Sequence, residues 1–403
     1  MIERVHFIVD ALYYFRINSY LCKIKEQIEM KYYVIAGEPS GDLHGGKLIR
    51  EIAKEDTTAS FRFCGGDLMA ATAGKENMCY HYKQMSFFGF VQVAKNLKTI
   101  LTQIDRVKED IERFTPDVII LIDYPAFNIR IAKWAKSRGI KVYYYIAPKV
   151  WAWKERRVKS LRKYVDRLYT IFPFETDYFR SHGIEPHFFG NPLVDDIAER
   201  STTFPSREEY LTECGLDNRP IVALLAGSRV SEIKSNLPDM VTLSRRFPEY
   251  QFVVTAVPWI DKAIYDKYIT DSPVRYVNNR TQQTLAHSAV AVVTSGTATL
   301  ETALMGIPEV VLYHIPWLYE KLRPYFLRIP YISLVNINLR REAVKEIVRA
   351  KLDIEEATKT LTEILPNGKE RERMMRDFEE LREMMGPADA SQRFAKDIVK
   401  TLR

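Results

Sequence analysis

From Lys31 onward, short runs of β-branched and aromatic residues alternate with longer amphipathic stretches. In the first half the runs are Tyr32–Ala36, Val118–Ile122, Lys141–Ile146 and Arg167–Ile171, each soon followed by Gly, Pro, Asp or Asn. Runs this short and apolar, closed by turn residues, predict buried parallel strands joined by helical crossovers. One crossover helix is predicted over Ile129–Arg138, where Ile131, Ala132 and Ala135 share a face and Gly139 gives the stop. The alternation pauses at Gly190-Asn191-Pro192-Leu193-Val194-Asp195 and the polar stretch Arg200–Arg207. It resumes with Ile221–Leu225, Gln251–Ala256, Val274–Tyr276, Val290–Thr294 and Glu309–Tyr313. From Arg340 the pattern is charged and reads as helical.

Two successive alternating series predict an α/β protein with two Rossmann-like domains and an interdomain cleft. The 403 residues are enough for two cores. The expected divisions are an N-terminal extension over 1–29, a first domain over 30–198 and a second over 199–370. The remaining helices, 371–403, are expected to pack back on the first domain. The extension is read as such because Val5–Leu21 is interrupted by Asp10 and Arg16 and no small-residue cleavage site follows. No run of about 18 uncharged apolar residues occurs, so no membrane-spanning helix is expected.

In open α/β sheets the chemistry sits on loops after the strands. Five such segments stand out. Ala36-Gly37-Glu38-Pro39-Ser40-Gly41-Asp42-Leu43-His44-Gly45-Gly46 follows the first strand and offers glycines, a carboxylate, an imidazole and a helix start. It is neither GxGxxG nor a Walker loop, and an ordinary turn capped by Ser40 or Asp42 has the same look. Asp123 and Asn128 lie in Ile122-Asp123-Tyr124-Pro125-Ala126-Phe127-Asn128, where a strand-end Asp can accept a proton from a hydroxyl. Asn128 could equally cap the helix that follows. Lys149, Trp151 and Trp153 open a basic run that suits a sugar phosphate, a lipid headgroup layer or a plain solvated helix. In the second half, Gly227-Ser228-Arg229 with Glu232, and Ser295-Gly296-Thr297-Ala298-Thr299 with Glu301, each join a strand to a helix. An Arg fork, hydroxyls and free amides on two loops of one domain read as a diphosphate cradle, with Glu301 placed for ribose hydroxyls.

The net charge of +7 suits an anionic partner without choosing one. No recognition-helix or RNP-like signature accompanies it, so nucleic acid is not expected. Four cysteines without a CxxC pair and seven histidines without HxxxH or HExxH spacing give no disulfide framework and no metal site.

Taken in order, AGEPSGDLHG (36–45), FFGFVQV (87–93), IDYPAFN (122–128), YYYIAPKVWAWKERRVKSL (143–161), FGNPLVD (189–195), LAGSRVSEI (225–233), TSGTATLE (294–301) and ISLVN (332–336) resemble the lipid-A-disaccharide synthases, glycosyltransferase family 19. The resemblance runs from about Met30 to the C-terminus. It implies a GT-B fold and transfer of 2,3-diacylglucosamine from its UDP derivative to 2,3-diacylglucosamine 1-phosphate. The transfer inverts, forms a β-1,6 link, releases UDP and needs no cofactor or metal. Many members carry an acidic residue where Ala126 stands and Gln where Arg349 stands, so those roles are not carried over.

On this reading Asp123 is the expected base and Glu38 the second candidate. Gly227, Ser228, Arg229, Glu232, Ser295, Gly296, Thr297, Ala298, Thr299, Glu301 and Asn336 are expected around UDP. Ser40, Gly41, Asp42, His44, Asn128, Lys149, Trp151 and Asn191 are expected around the acceptor. The other readings are a further GT-B UDP-sugar enzyme, either a peptidoglycan-type glucosaminyltransferase or a UDP-N-acetylglucosamine 2-epimerase. Acylated substrates imply a membrane surface as partner, on the cytoplasmic face of the inner membrane of a Gram-negative bacterium. Aromatic and basic segments at Phe87–Phe90, Trp151–Trp153 and Trp317–Phe326 are the expected contacts. A homodimer is left open.

Overall fold

The computed structural model describes residues 29–85, 97–150, 156–315 and 331–403. The extension over 1–28, Phe87–Phe90, Trp151, Trp153 and Trp317–Phe326 lie outside the described residues. The chain divides into two compact units: Met1–Ile171 with Glu175–Phe189 and Asp389–Arg403, and Phe172–Phe174 with Gly190–Ala388.

The first unit holds β1 (Lys31–Ala36), β2 (Ser60–Gly65), β3 (Met78–His81), β4 (Val118–Ile122), β5 (Lys141–Tyr145), β6 (Arg167–Thr170) and β7 (Pro186–Phe188). They form one parallel sheet in the order β3-β2-β1-β4-β5-β6-β7. The second holds β8 (Ile221–Leu225), β9 (Gln251–Ala256), β10 (Arg275–Asn278), β11 (Ser288–Val293), β12 (Glu309–His314) and β13 (Lys345–Arg349), parallel in the order β10-β9-β8-β11-β12-β13. Each sheet thus reverses its winding once, between β1 and β4 in the first and between β8 and β11 in the second. A crevice opens outside the carboxyl ends at such a point. Register makes the flanking strands end level: Ala36 pairs with Ile122, and Leu225 with Val293.

Burial explains the apolar runs. Every residue of β4 is buried, and so is every residue of β8. Each such aliphatic side chain gains about 1.5–3 kcal/mol on leaving water. The charged stretch after Arg340 is not wholly helical: Lys345–Arg349 is the edge strand β13, which buries only Ile347 and Val348 and keeps charge on its exposed positions. Charge at an edge blocks pairing with other chains, and it hid the strand. The predicted helix over Ile129–Arg138 is the later part of Pro125–Ser137.

The two C-terminal helices part company. Arg371–Met385 belongs to the second unit, and Ala390–Leu402 to the first. The latter sets Ala390, Phe394, Ala395, Ile398 and Val399 into the core beneath β1, β4, β5 and β6. The Phe394 ring meets Tyr145, Phe189 and Tyr169 edge-on, at 5.1, 5.4 and 5.6 Å between centroids. Asp397 receives both arms of Arg167, at 2.7 and 2.8 Å, and the Tyr169 hydroxyl at 2.8 Å.

Candidate functional site

The loops at the first reversal point carry Gly37 and Glu38 after β1, and Asp123 and Tyr124 after β4. The Tyr124 ring lies directly on Gly37, where a Cβ would come 2.3 Å from Cδ1 of that ring. Only glycine permits this approach. Asp123 and Tyr124 both adopt left-handed backbone, at φ 42° and 44°, and Ile146, just past β5, does so at φ 61°. Such conformations cost about 1–3 kcal/mol each in residues with a Cβ, and they gather where a scaffold forces side chains into a working position. The strained loop is braced from behind. The buried Asn128 amide donates to the carbonyls of Ile122 at 3.1 Å and Asp123 at 2.8 Å, and the Tyr144 hydroxyl also donates to the Asp123 carbonyl. Asn128 therefore shapes the loop that presents Asp123.

Burial pushes the Asp123 carboxyl above its usual range, while Lys149, the Tyr124 N–H and Arg157 pull the other way. Lys149 is exposed and Arg157 half-buried. Arg157 was not singled out in the sequence, where it is one of many cations on its helix. Glu38 is half-buried and precedes the helix Pro39–Glu55; burial raises the Tyr124 phenol, and the Glu38 charge adds to that rise.

Other residues of the first glycine-rich segment serve packing. Gly41 faces Ala36 and Ile122, Gly45 faces Met69 and Ile122, and Gly46 faces the Leu68 carbonyl. The buried Asp42 carboxylate accepts from Gly66 N at 2.7 Å, and from Leu68 N and Met69 N at 3.1 Å each. It thereby caps the neighbouring helix Asp67–Ala73 instead of its own. In this structure the Asp42 carboxylate is taken up by this cap, and Gly41 lies against Ala36 and Ile122. Ser40 is exposed and His44 half-buried on the same helix. Asn191 is buried and caps the helix Pro192–Ser201, accepting from Leu193 N at 2.9 Å.

At the second reversal point, Gly227 sits at φ 113°, and a Cβ there would lie 2.5 Å from Cβ of Glu232. The Glu232 carboxylate accepts from Ser228 N at 3.0 Å, Arg229 N at 3.2 Å and the Arg229 guanidinium at 3.0 Å. Ser228 and Arg229 are exposed. Two amides and a guanidinium gathered round one carboxylate are a set of donors that also suits phosphate oxygens. Glu232 orders those donors and cannot itself bind a phosphate.

Across the gap, Gly296 and Thr297 are exposed, and no atom lies within 4 Å of a Cβ built on Gly296. The turn is held from below. Ser295 Oγ donates to the Ile332 carbonyl at 2.9 Å, and the buried Thr299 hydroxyl bridges the Gly296 carbonyl and Leu334 N. Ala298 packs against the core. Asn336 is fully buried, and both ends of its amide are used. Its nitrogen donates to the Val344 carbonyl and Glu346, while its oxygen accepts from Ala343 N and Val344 N. Asn336 fixes the segment on which Ser295 and Thr299 rest.

Glu301, one turn beyond, shares the Gln282 amide with Asp196, at 2.8 and 3.0 Å. Burial pushes the Glu301 carboxyl up, Gln282 pulls it down, and Asp196 pushes it up again. The Gln282 oxygen is buried without a hydrogen-bond partner. An uncompensated acceptor beside a carboxylate is a place where hydroxyls can be received. Gln282 and Asp196 were missed because neither belongs to a glycine-marked turn. Among the described residues no group of three or more His, Cys, Asp or Glu could hold a metal ion, and no helix is long and apolar enough to cross a membrane.

Residues 32–397 match the sequence model of the lipid-A-disaccharide synthetase family. The lipid-A-disaccharide synthase of Syntrophus aciditrophicus is 35% identical over 370 residues, covering 90% of this chain and 95% of that protein. That of Myxococcus xanthus is 33% identical over 376 residues, covering 92% and 97%. Among solved structures, the UDP-GlcNAc 2-epimerase of Neisseria meningitidis aligns with a TM-score of 0.61 at 12% identity, over 93% of this chain and all of that one. The sucrose-phosphate synthase of Thermosynechococcus elongatus aligns at 0.57 and 11%, over 93% and 99%. At such identities the likeness is one of fold, and the fold is GT-B.

Proposed function

Since the chain belongs to the lipid-A-disaccharide synthetase family of glycosyltransferases, we propose that it transfers 2,3-diacylglucosamine from UDP to the 6-hydroxyl of 2,3-diacylglucosamine 1-phosphate. The observation that carries this is the pair of level turns at β8 and β11, which offer amides, hydroxyls and one guanidinium to a diphosphate. Direct displacement with inversion follows. Asp123, ionised, takes the proton of the acceptor hydroxyl as its oxygen attacks the anomeric carbon. The bond to the diphosphate breaks, and its charge falls on Arg229, the Ser228 amide and the turn at Gly296–Thr297, while Glu301 and Gln282 hold the ribose. Fixed donors facing developing charge are the largest contribution an enzyme of this type can make. A general base adds about 10²–10⁴-fold.

Burial raises the Asp123 carboxyl, and Lys149 and Arg157 oppose that rise and suit an anionic acceptor. Acylated substrates bring the enzyme to a lipid surface as a peripheral protein. Relatives at 33–35% identity named as disaccharide synthases weigh against an epimerase, for which the likeness is confined to the fold. The test is incubation with both acylated substrates and product analysis by mass. UDP and a disaccharide 1-phosphate are expected. Epimerised donor, or no disaccharide, overturns the proposal.

A further inference from the structure

Beside the proposed diphosphate loop lies an apolar ledge that no step above uses. Trp259, in the loop after β9, is 61% exposed, the most exposed of the large apolar side chains among the described residues. It is not loose. Its indole nitrogen donates to the carbonyl of Ser228 at 3.2 Å, so the ring is pinned to the loop that carries Arg229. Pro258 is exposed next to it and Val257 half-buried, and Val230, the residue after Arg229, is 39% exposed. The indole N–H, the polar handle that gives buried tryptophans their partners, is turned inward, and apolar surface is turned to water. The other flank of the loop, at Ser295–Thr297, carries hydroxyls instead.

A rigid aromatic and its aliphatic neighbours, held at hydrogen-bond range from a phosphate-binding loop, meet whatever apolar group is joined to that phosphate. Resting on the function proposed above, we propose that Trp259, with Val230, Val257 and Pro258, receives a hydrocarbon chain of the acylated donor and selects for donors that carry one. Uracil is a poorer fit, because the ledge Val257-Pro258-Trp259 offers no polar side chain to a base edge. Each methylene laid on such a surface adds to affinity in proportion to the area removed from water, so the preference grows with chain length.

The test measures Kd for UDP and KM for UDP-diacylglucosamine donors of increasing acyl length, presented below their aggregation limit. Trp259→Ala and Trp259→Phe are compared with the parent enzyme. Trp259 is exposed, so the variants fold, as thermal melts verify. The expected result is UDP affinity within twofold of the parent, KM for the long-chain donor raised about tenfold in Trp259→Ala, a flattened dependence on acyl length, and partial recovery in Trp259→Phe. Equal loss for UDP overturns the inference in favour of stacking on uridine. Unchanged KM with lost flotation on anionic phosphatidylglycerol vesicles overturns it in favour of membrane contact, and unchanged KM with normal flotation leaves Trp259 no role. A parent enzyme that binds UDP yet transfers nothing from any acylated donor defeats the underlying function before the variants are compared.

Discussion

Arg229 and Glu232 are bound to each other across one turn of helix, the guanidinium donating to the carboxylate at 3.0 Å while the Ser228 and Arg229 amides donate to the same group. A diphosphate needs those very donors, so it competes with an internal carboxylate. Arg229→Ala should weaken UDP binding by about 10–100-fold, since a charged hydrogen bond contributes about 1.5–3 kcal/mol. Glu232→Gln should tighten UDP several-fold at low salt, with a gain that shrinks as salt screens the repulsion it relieves. Calorimetry reads both. Unchanged affinity in Arg229→Ala removes that residue from the donor site.

Asp123→Asn should reduce turnover by at least about 100-fold with near-normal UDP affinity, because the amide keeps the shape and loses the basicity. It should also raise stability. Burial lifts the folded-state pKa of Asp123 above its unfolded value, so the folded protein holds this proton more tightly than the unfolded chain. Stability is then lost as pH rises between the two values and stays lost above the folded pKa. The Asn variant escapes that loss. Melts as a function of pH should show the variant gaining on the parent from the ordinary carboxylate range upward and matching it in acid. An Asn variant that turns over at the parental rate makes Glu38 the leading base.

Gln282→Leu leaves the carboxylates of Asp196 and Glu301 without their shared donor. Glu301 is already raised by burial, and loss of the amide raises it further. If Glu301 receives the ribose hydroxyls as proposed, donor KM should climb as pH falls, and the climb should begin at higher pH in the variant than in the parent. A pH–KM profile identical in the two enzymes would show that Gln282 does not act through Glu301.

Asp42→Ala should destabilise the first unit by about 2–4 kcal/mol, because Gly66, Leu68 and Met69 lose their common acceptor. Urea unfolding measures this, and UDP affinity, which the proposed donor site places in the second unit, should not change. A variant of unaltered stability would free Asp42 for a role at the acceptor.

The strand runs were legible because a buried parallel strand has one chemical requirement, apolarity on both faces, and Val118–Ile122 and Ile221–Leu225 meet it without exception. Glycine-marked turns at Gly37, Gly227 and Gly296 were legible because a tight strand-to-helix turn writes itself locally. What Asp42, Asn191 and Asn336 do was not legible. Each is a polar residue in a conspicuous motif that does not name its partners: for Asn191 the local amide of Leu193, and for Asp42 and Asn336 groups brought near by the fold, as far as Met69 is from Asp42. The edge strand Lys345–Arg349 was missed for the opposite reason, since its charges imitate a helix surface. Gln282 gave no local signal at all, and Arg157 was one cation among several in the basic run after Lys149.

The return of Ala390–Leu402 to the first unit has a consequence for biosynthesis. Ribosomes deliver the chain from its N-terminus, and domains fold as they emerge. All residues of the second unit precede residue 389, so its sequence is complete before the last helix of the first unit is made. Until Phe394 arrives, Tyr145, Tyr169 and Phe189 lack the one ring that all three meet, and Arg167 waits for Asp397. The half of the protein that is made first is therefore the half completed last, and a truncation before Ala390 would leave the core side chains of β1, β4, β5 and β6 without the cover of Ala390, Phe394, Ala395, Ile398 and Val399.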